Sequence, residues 1–354
     1  MYSIYWPSIK TGWRRSATRL LSKLLRLVLL MPFSLLAQSP GGAKPLIPVS
    51  IITIGGGFNL PAWTAERQGF FAKHGVAVKL TITPNSTFLM TNLIDSKFDI
   101  GIFGIDNLVA YQEGAGEGKI TAKPDLVTFM GLNGGFLHLI ATPEVKTIAG
   151  LRGKSIAVDA LTTGYAFVLR DMLARAGLKD TDVTYAPTGG SLARFRSVVD
   201  GKHAATLLNT PFDLQAVDRG MNRLGSAGQL MGSYQGHAAA AQRGWLAQNE
   251  AVAIGVMRAY REAMEWIYDP KNREIAEALL VANDREMTPV LARRTLEVFT
   301  DPKEGLFRDV AISMDGMRTV LDLRNRFGQP ATKLTDPQKY VDLELHHKAF
   351  PPKL

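Results

Sequence analysis

Two stretches decide the fold: Leu93-Ile-Asp-Ser-Lys-Phe-Asp-Ile-Gly-Ile102 and Val198-Val-Asp-Gly-Lys-His-Ala-Ala-Thr-Leu207. Each reads as a helix end, an Asp-small-Lys turn and a strand start. The elements around them follow one order. Upstream of the first, Val49–Ile54 is a buried strand ending at Gly55-Gly56-Gly57, and Pro61 opens a helix expected to run to Lys73 and stop at Gly75. A proline fits the first helical turn because its missing N–H has no partner to lose there. Val76–Ile82 is a second strand, a short helix passes through Leu89 and Leu93, and Phe98–Phe103 is a third strand. Around the second stretch come the strand Ser155–Val158, then a helical stripe of Tyr165, Leu169, Met172, Leu173 and Ala176 closed by Gly177. The strand Val183–Tyr185, a helix through Leu192, Phe195 and Val199, and the strand Ala204–Leu208 complete it.

Both halves are therefore β-α-β-α-β. Strands alternating with helices imply mostly parallel sheets joined by right-handed crossovers. The sequence predicts an α/β protein of two equivalent lobes. Phe136–Ala141 is expected to be a strand crossing to the second lobe, and His237–Gln242 to cross back. A long helix follows, with Val252, Val256, Ala259, Tyr260, Ala263, Trp266 and Ile267 on one face, and a largely helical tail runs on to Leu354. Two connecting segments are the layout of a hinge. The expected division is residues 48–137 and 243–354 for the first lobe and 138–242 for the second.

The composition is that of a globular chain: 354 residues, 46% hydrophobic and 21% charged. There is no cysteine, which excludes disulfides, thiolate metal sites and a cysteine nucleophile. The net charge of +9 is mostly a property of the N-terminus. Lys10, Arg14, Arg15, Arg19, Lys23 and Arg26 all precede residue 38, where no acidic residue occurs. The rest carries 35 basic against 32 acidic residues. The apolar run Leu27–Ala37 has the length of a signal-peptide core and is shorter than a membrane span. Residues 1–37 are expected to be an export signal cut after Ala37, and residues 38–47 a flexible mature end. Periplasmic localisation follows from that expectation. Arg293-Arg294 and the basic residues near 324–326 read as solvated helix faces, and no nucleic-acid motif is present.

Gly57-Phe-Asn-Leu-Pro-Ala62 followed by Glu66-Arg-Gln-Gly-Phe-Phe-Ala-Lys-His-Gly-Val-Ala-Val78 resembles the opening of the nitrate/sulfonate/taurine-type periplasmic solute-binding proteins of ABC importers. The resemblance continues through Phe98–Gly101, Leu151–Val158, Leu173–Leu178, Gly201–Ala205, Trp266–Pro270 and Lys339–Asp342. It implies the two-lobed type II binding-protein fold, a ligand cleft between lobes, and a permease as partner of a monomeric receptor. The same family contains enzymes of thiamine-pyrimidine and menaquinone synthesis. The cysteine-dependent branches do not fit a chain without cysteine. An enzyme on this fold and a periplasmic sensor subunit remain alternatives to transport.

Ligands of such sheets bind beyond the carboxyl ends of the strands, where helix N-termini present free N–H groups to anions. The segments expected there, residues 57–59, 85–87, 104–107, 159–165, 189–191 and 209–212, supply Phe58, Asn59, Ser86, Thr87, Asp106, Asn107, Thr162, Thr163, Gly164, Tyr165, Asn209 and Thr210. Thr162-Thr163-Gly164-Tyr165 is the leading candidate, although a threonine there also serves as a plain helix cap. Asp106 suits either a cationic group on the ligand or its own loop. No cofactor is expected: Leu60 stands where a dinucleotide fingerprint needs its third glycine, and no Walker or Gly-x-Ser-x-Gly motif occurs. The six histidines show no zinc spacing. The expected ligand is a small organic anion, sulfonate-, nitrate- or carboxylate-like.

Overall fold

The computed structural model describes residues 45–331 and 333–352. The export signal read at residues 1–37 lies outside the described residues. The first described strand, β1, is Ile47–Ile54, so Ile47 already belongs to the sheet. It is followed by β2 (Val76–Thr83), β3 (Ile100–Gly104), β4 (Leu126–Gly131), β5 (Leu137–Ala141), β6 (Ser155–Val158), β7 (Thr184–Pro187), β8 (Ala205–Asn209), β9 (Asn222–Ser226) and β10 (His237–Gln242). They form two five-stranded sheets, ordered β2-β1-β3-β10-β4 and β7-β6-β8-β5-β9. In each sheet three strands are parallel. The fourth, β10 or β5, runs antiparallel to both its neighbours.

The first crossing segment is a strand, as expected, and both segments lie within the sheets themselves. β5 lies in the second sheet from Leu137 onward, and β10 lies in the first. The chain passes between sheets within residues 132–136 and returns within 232–236. Ala238, Ala239, Ala240 and Ala241 are fully buried, with alternate residues in two core clusters. Four methyl-sized side chains suit the centre of a sheet covered on both faces, which a reading of small apolar residues as a connector misses. The two crossing segments are tied together by Gly236 N–H to Asn133 O at 2.9 Å and Leu132 N–H to His237 O at 3.0 Å. A Cβ on Gly236 would meet the Gly135 Cα at 2.5 Å, so only glycine permits this approach.

The expected first helix is broken. Leu60–Arg67 and Phe70–Lys73 are separate because Gly69 takes φ 73°, a left-handed conformation. The helix Gly164–Arg175 and the cap at Gly177 (φ 80°) are as expected. Glu250–Tyr268 packs Val256, Tyr260, Ala263 and Ile267 into the first lobe's core and stops before Pro270. Each such large apolar side chain contributes up to about 1.5–3 kcal/mol.

Helix Met314–Phe327 bridges the lobes. Arg324 is one of the most buried side chains in the molecule, and Arg326 pairs with the buried Asp171 of helix Gly164–Arg175 at 2.6 Å. Arg170 of that helix donates back to Phe327 O at 2.9 Å. The expectation of solvated arginines at 324–326 is therefore corrected for Arg324. A charge count cannot see the carboxylate that buries it. Among the described residues no helix is long and apolar enough to cross a membrane.

Candidate functional site

The cleft is built where strand ends meet helix starts. β1 ends at Ile54 and β3 at Gly104. In the other lobe Asp159 follows β6, and Asn209 ends β8. Helices begin at Ser86 and Asp106 in the first lobe and at Gly164 and Ser191 in the second. All eight residues line one cavity. Three of the helices, Ser86–Ile94, Gly164–Arg175 and Ser191–Val199, are long enough to carry an appreciable positive N-terminal dipole.

The lobes touch across this cavity. Asn85 caps its helix by accepting the Phe88 N–H at 2.8 Å. The neighbouring Ser86 hydroxyl is thereby free to reach Asp159 Oδ2 in the other lobe at 2.6 Å. At the cleft mouth, Glu117 Oε1 accepts from the Thr162 hydroxyl at 2.7 Å and from its N–H at 3.0 Å.

Arg194 brings the second lobe's cation. It lies one turn after Ser191 and is fully buried. Its Nε donates to Gly189 O at 3.1 Å, its Nη1 to Leu207 O, and its Nη2 to Ser191 Oγ at 3.1 Å. Ser191 in turn donates to Asn209 Oδ1 at 2.6 Å. Burial pulls the Arg194 pKa down, and the Asp159 carboxylate opposes that shift.

The floor comes from the crossing segments. His237 is buried and stacked on Phe58, with ring centroids 3.9 Å apart and planes at 15°. Its Nδ1 lies 3.0 Å from Asn133 Oδ1, and its Nε2 lies 3.3 Å from the Tyr165 hydroxyl. Burial lowers the His237 pKa to about 3, so the ring is neutral at ordinary pH. The same desolvation raises the Tyr165 and Tyr234 phenols above their usual value.

The expected site residues therefore divide. Ser86, Asp106, Asn107, Thr163, Gly164, Tyr165 and Asn209 line the cavity. Both Asp106 oxygens are already engaged: Arg324 Nε donates to Oδ1 at 2.8 Å, and Nη2 binds Oδ2. Arg324 Nη2 also donates to Thr162 O at 3.0 Å, which ties the pair to the second lobe. Thr163 donates to Ala160 O at 3.2 Å and makes no side-chain cap. Phe58 stands behind His237. Asn59 closes the turn after β1, accepting from Thr53 at 2.9 Å and donating to Ile54 O at 2.8 Å. Thr87 and Thr162 border a smaller hollow beside Glu117. Thr210 is buried off the cavity lining.

Asp159 and Ser191 fell within the segments expected at the cleft. Arg194, Tyr234 and His237 did not. The spacing from Ser191 to Arg194, one helical turn, is the signal that could have found Arg194. Nothing local marks His237, which reads as the first residue of an alanine-rich strand. Among the described residues no group of three or more His, Asp or Glu is placed to hold a metal ion.

The paired sheets, the double crossing and the interlobe cavity define the class: a two-lobed, type II periplasmic-binding-protein fold. Within that class the chain belongs to the NMT1-like family, whose pattern matches residues 49–281. No curated protein matches the sequence. Solved structures give the same fold. The periplasmic nitrate-binding protein NrtA of Synechocystis superposes with a TM-score of 0.73 at 18% identity, over 86% of this chain and 88% of that one. The alkanesulfonate-binding protein SsuA of Xanthomonas axonopodis, bound to MOPS, gives 0.68 at 17% identity, over 85% and 100%. The aliphatic sulphonate-binding SsuA of Escherichia coli gives 0.65 at 18%, over 83% and 92%.

Proposed function

We propose that this chain is the exported solute-binding component of an ABC importer, which captures a small organic anion between its lobes and presents it, as a monomer, to a membrane permease. The observation that carries the reading is the convergence of three helix N-termini and the buried Arg194 on one interlobe cavity. Fixed N–H groups and a guanidinium are a prearranged counter-charge for a sulfonate, nitrate or carboxylate. The fold it shares with binding proteins for nitrate and sulfonates supports transport over sensing. Binding also fits better than catalysis. Asp106 is held by Arg324, and His237 is oriented by an amide rather than by a carboxylate.

The test is a thermal-shift screen of alkanesulfonates, nitrate, aromatic carboxylates and pyrimidines, followed by calorimetric titration. A solute at about 100 times its Kd adds about 2.7 kcal/mol to stability. A screen in which neutral pyrimidines shift the melt and every anion fails would sink the anion reading.

A further inference from the structure

The hydrogen-bond chain under the cleft has a fixed direction. Asn133 Oδ1 accepts the Gly135 N–H at 2.8 Å, so the oxygen of that amide, not its nitrogen, faces this side. The same oxygen lies 3.0 Å from His237 Nδ1, which must therefore carry the ring proton and donate. The ring is buried against Phe58 with no carboxylate on it, so it holds a single proton and Nε2 is bare. The Tyr165 hydroxyl, 3.3 Å from Nε2, can then only be the donor of that contact. Its proton points at His237, and what it turns toward the cavity is lone pairs. Asp159, on the same lobe, adds a carboxylate that also only accepts, with Ser86 as its donor.

The cavity is thus two-faced. The helix starts and Arg194 offer donors, whereas Tyr165 and Asp159 offer acceptors. Resting on the anion reading above, we infer that the solute carries an N–H or O–H donor besides its anionic group, and that Tyr165 is the residue that selects for it. A solute with acceptors alone, such as nitrate or a simple alkanesulfonate, would leave the Tyr165 oxygen dehydrated and unpaired. The expected penalty is about ten- to a hundredfold in affinity.

Matched pairs test this on the processed full chain. Ethanesulfonate is compared with 2-aminoethanesulfonate and 2-hydroxyethanesulfonate, and benzoate with 4-aminobenzoate, by calorimetric titration. In at least one series the donor-bearing member should bind about tenfold or more tighter. In Tyr165→Phe the ratio within that series should fall toward one. Equal affinities within every series, or a preference undiminished in Tyr165→Phe, would overturn the inference while leaving anion capture standing. Failure of every anion to bind would remove both. Nitrogen-15 shifts of the His237 ring, assigned by their loss in His237→Gln, give an independent reading. A bare Nε2 and protonated Nδ1 are expected, and a protonated Nε2 would reverse the chain and overturn the proposal.

Discussion

The two lobes share one frame and differ in what they hang on it. In the first sheet Ile51 pairs with Leu80 and Ile100. In the second Ile156 pairs with Tyr185 and Ala205, each residue numbered 105 higher. The same shift relates four pairs of positions at the cleft: Ile54 and Asp159, Ser86 and Ser191, Leu89 and Arg194, Gly104 and Asn209. Seven of the eight line the cavity, and Leu89 is buried in the core. Only the serines match. Elsewhere the first lobe offers a methyl-bearing chain, a glycine or nothing, and the second offers a carboxylate, an amide and a guanidinium. On the proposed reading, the second lobe supplies most of the groups that would discriminate among solutes. Even Asp106, the first lobe's own charge at the cleft, is consumed by Arg324.

The largest effect should come from that consumed charge. Asp106→Ala would leave Arg324, 2% exposed, as an uncompensated buried cation. Breaking such a pair costs about 3–5 kcal/mol. Asp159→Ala, half-buried and bonded to Ser86, should lose less, about 1.5–3 kcal/mol for a hydrogen bond to a charged group, while changing which solutes bind. Denaturant unfolding and titration of both variants read the contrast. If Asp106→Ala melts like the wild type, the two carboxylates are not as different as their partners imply.

Closure comes next. A Cβ on Gly164 would fall inside contact distance of Asp106 Cβ and 2.8 Å from its Cγ, across the lobe boundary. Gly164→Val should hold the lobes apart at this contact. Solute affinity should then fall by about a hundredfold, the equivalent of about 2.7 kcal/mol against the closed state. Small-angle scattering with a confirmed solute should show contraction in the wild type and none in the variant. Contraction in both would mean the lobes do not meet at Gly164.

Acid should weaken the floor rather than either lobe. The unfolded chain takes up a proton on His237 as pH falls through about 6.5, whereas the folded protein resists it until about 3. The stabilisation is therefore complete above 6.5 and is lost progressively toward 3. Between pH 6.5 and 4.5 it amounts to about 2–3 kcal/mol. His237→Gln should flatten that part of the profile in urea melts. An unchanged slope would show that His237 is not the group being held neutral.

The frame was legible because its signals are local. Gly177 and Gly201 close helices with left-handed φ, and the Asp-small-Lys turn recurs at the same point of each half. β4 and β9 were not anticipated. Leu126–Gly131 sits beside charged and proline-containing text, and Asn222–Ser226 holds little apolar surface, so neither stands out by periodicity. At the site, residues at strand ends and helix starts were found because position alone predicts them. Arg324, Tyr234 and His237 were not, because each owes its place to a partner far away in sequence. Arg324 and Asp106 are 218 residues apart. No window of local text contains such a pairing.

The smallest effect tests whether every second-lobe hydroxyl at the cleft matters. Thr163 precedes the strongest helix of that lobe with extended backbone, yet its hydroxyl donates to Ala160 O and caps no helix N–H. Ser191, at the start of the next helix, instead joins Asn209 to Arg194. Thr163→Ala should therefore cost one neutral hydrogen bond, about 1 kcal/mol of stability, and leave affinity for a confirmed solute within about twofold. Ser191→Ala removes a like amount of stability but also frees the Arg194 guanidinium from one of its anchors, so its affinity should fall by about tenfold. Paired melting curves and titrations separate the two. Should Thr163→Ala lose affinity as Ser191→Ala does, the hydroxyl turns from Ala160 to the solute on binding. The anion would then be held at the start of helix Gly164–Arg175 rather than at that of Ser191–Val199.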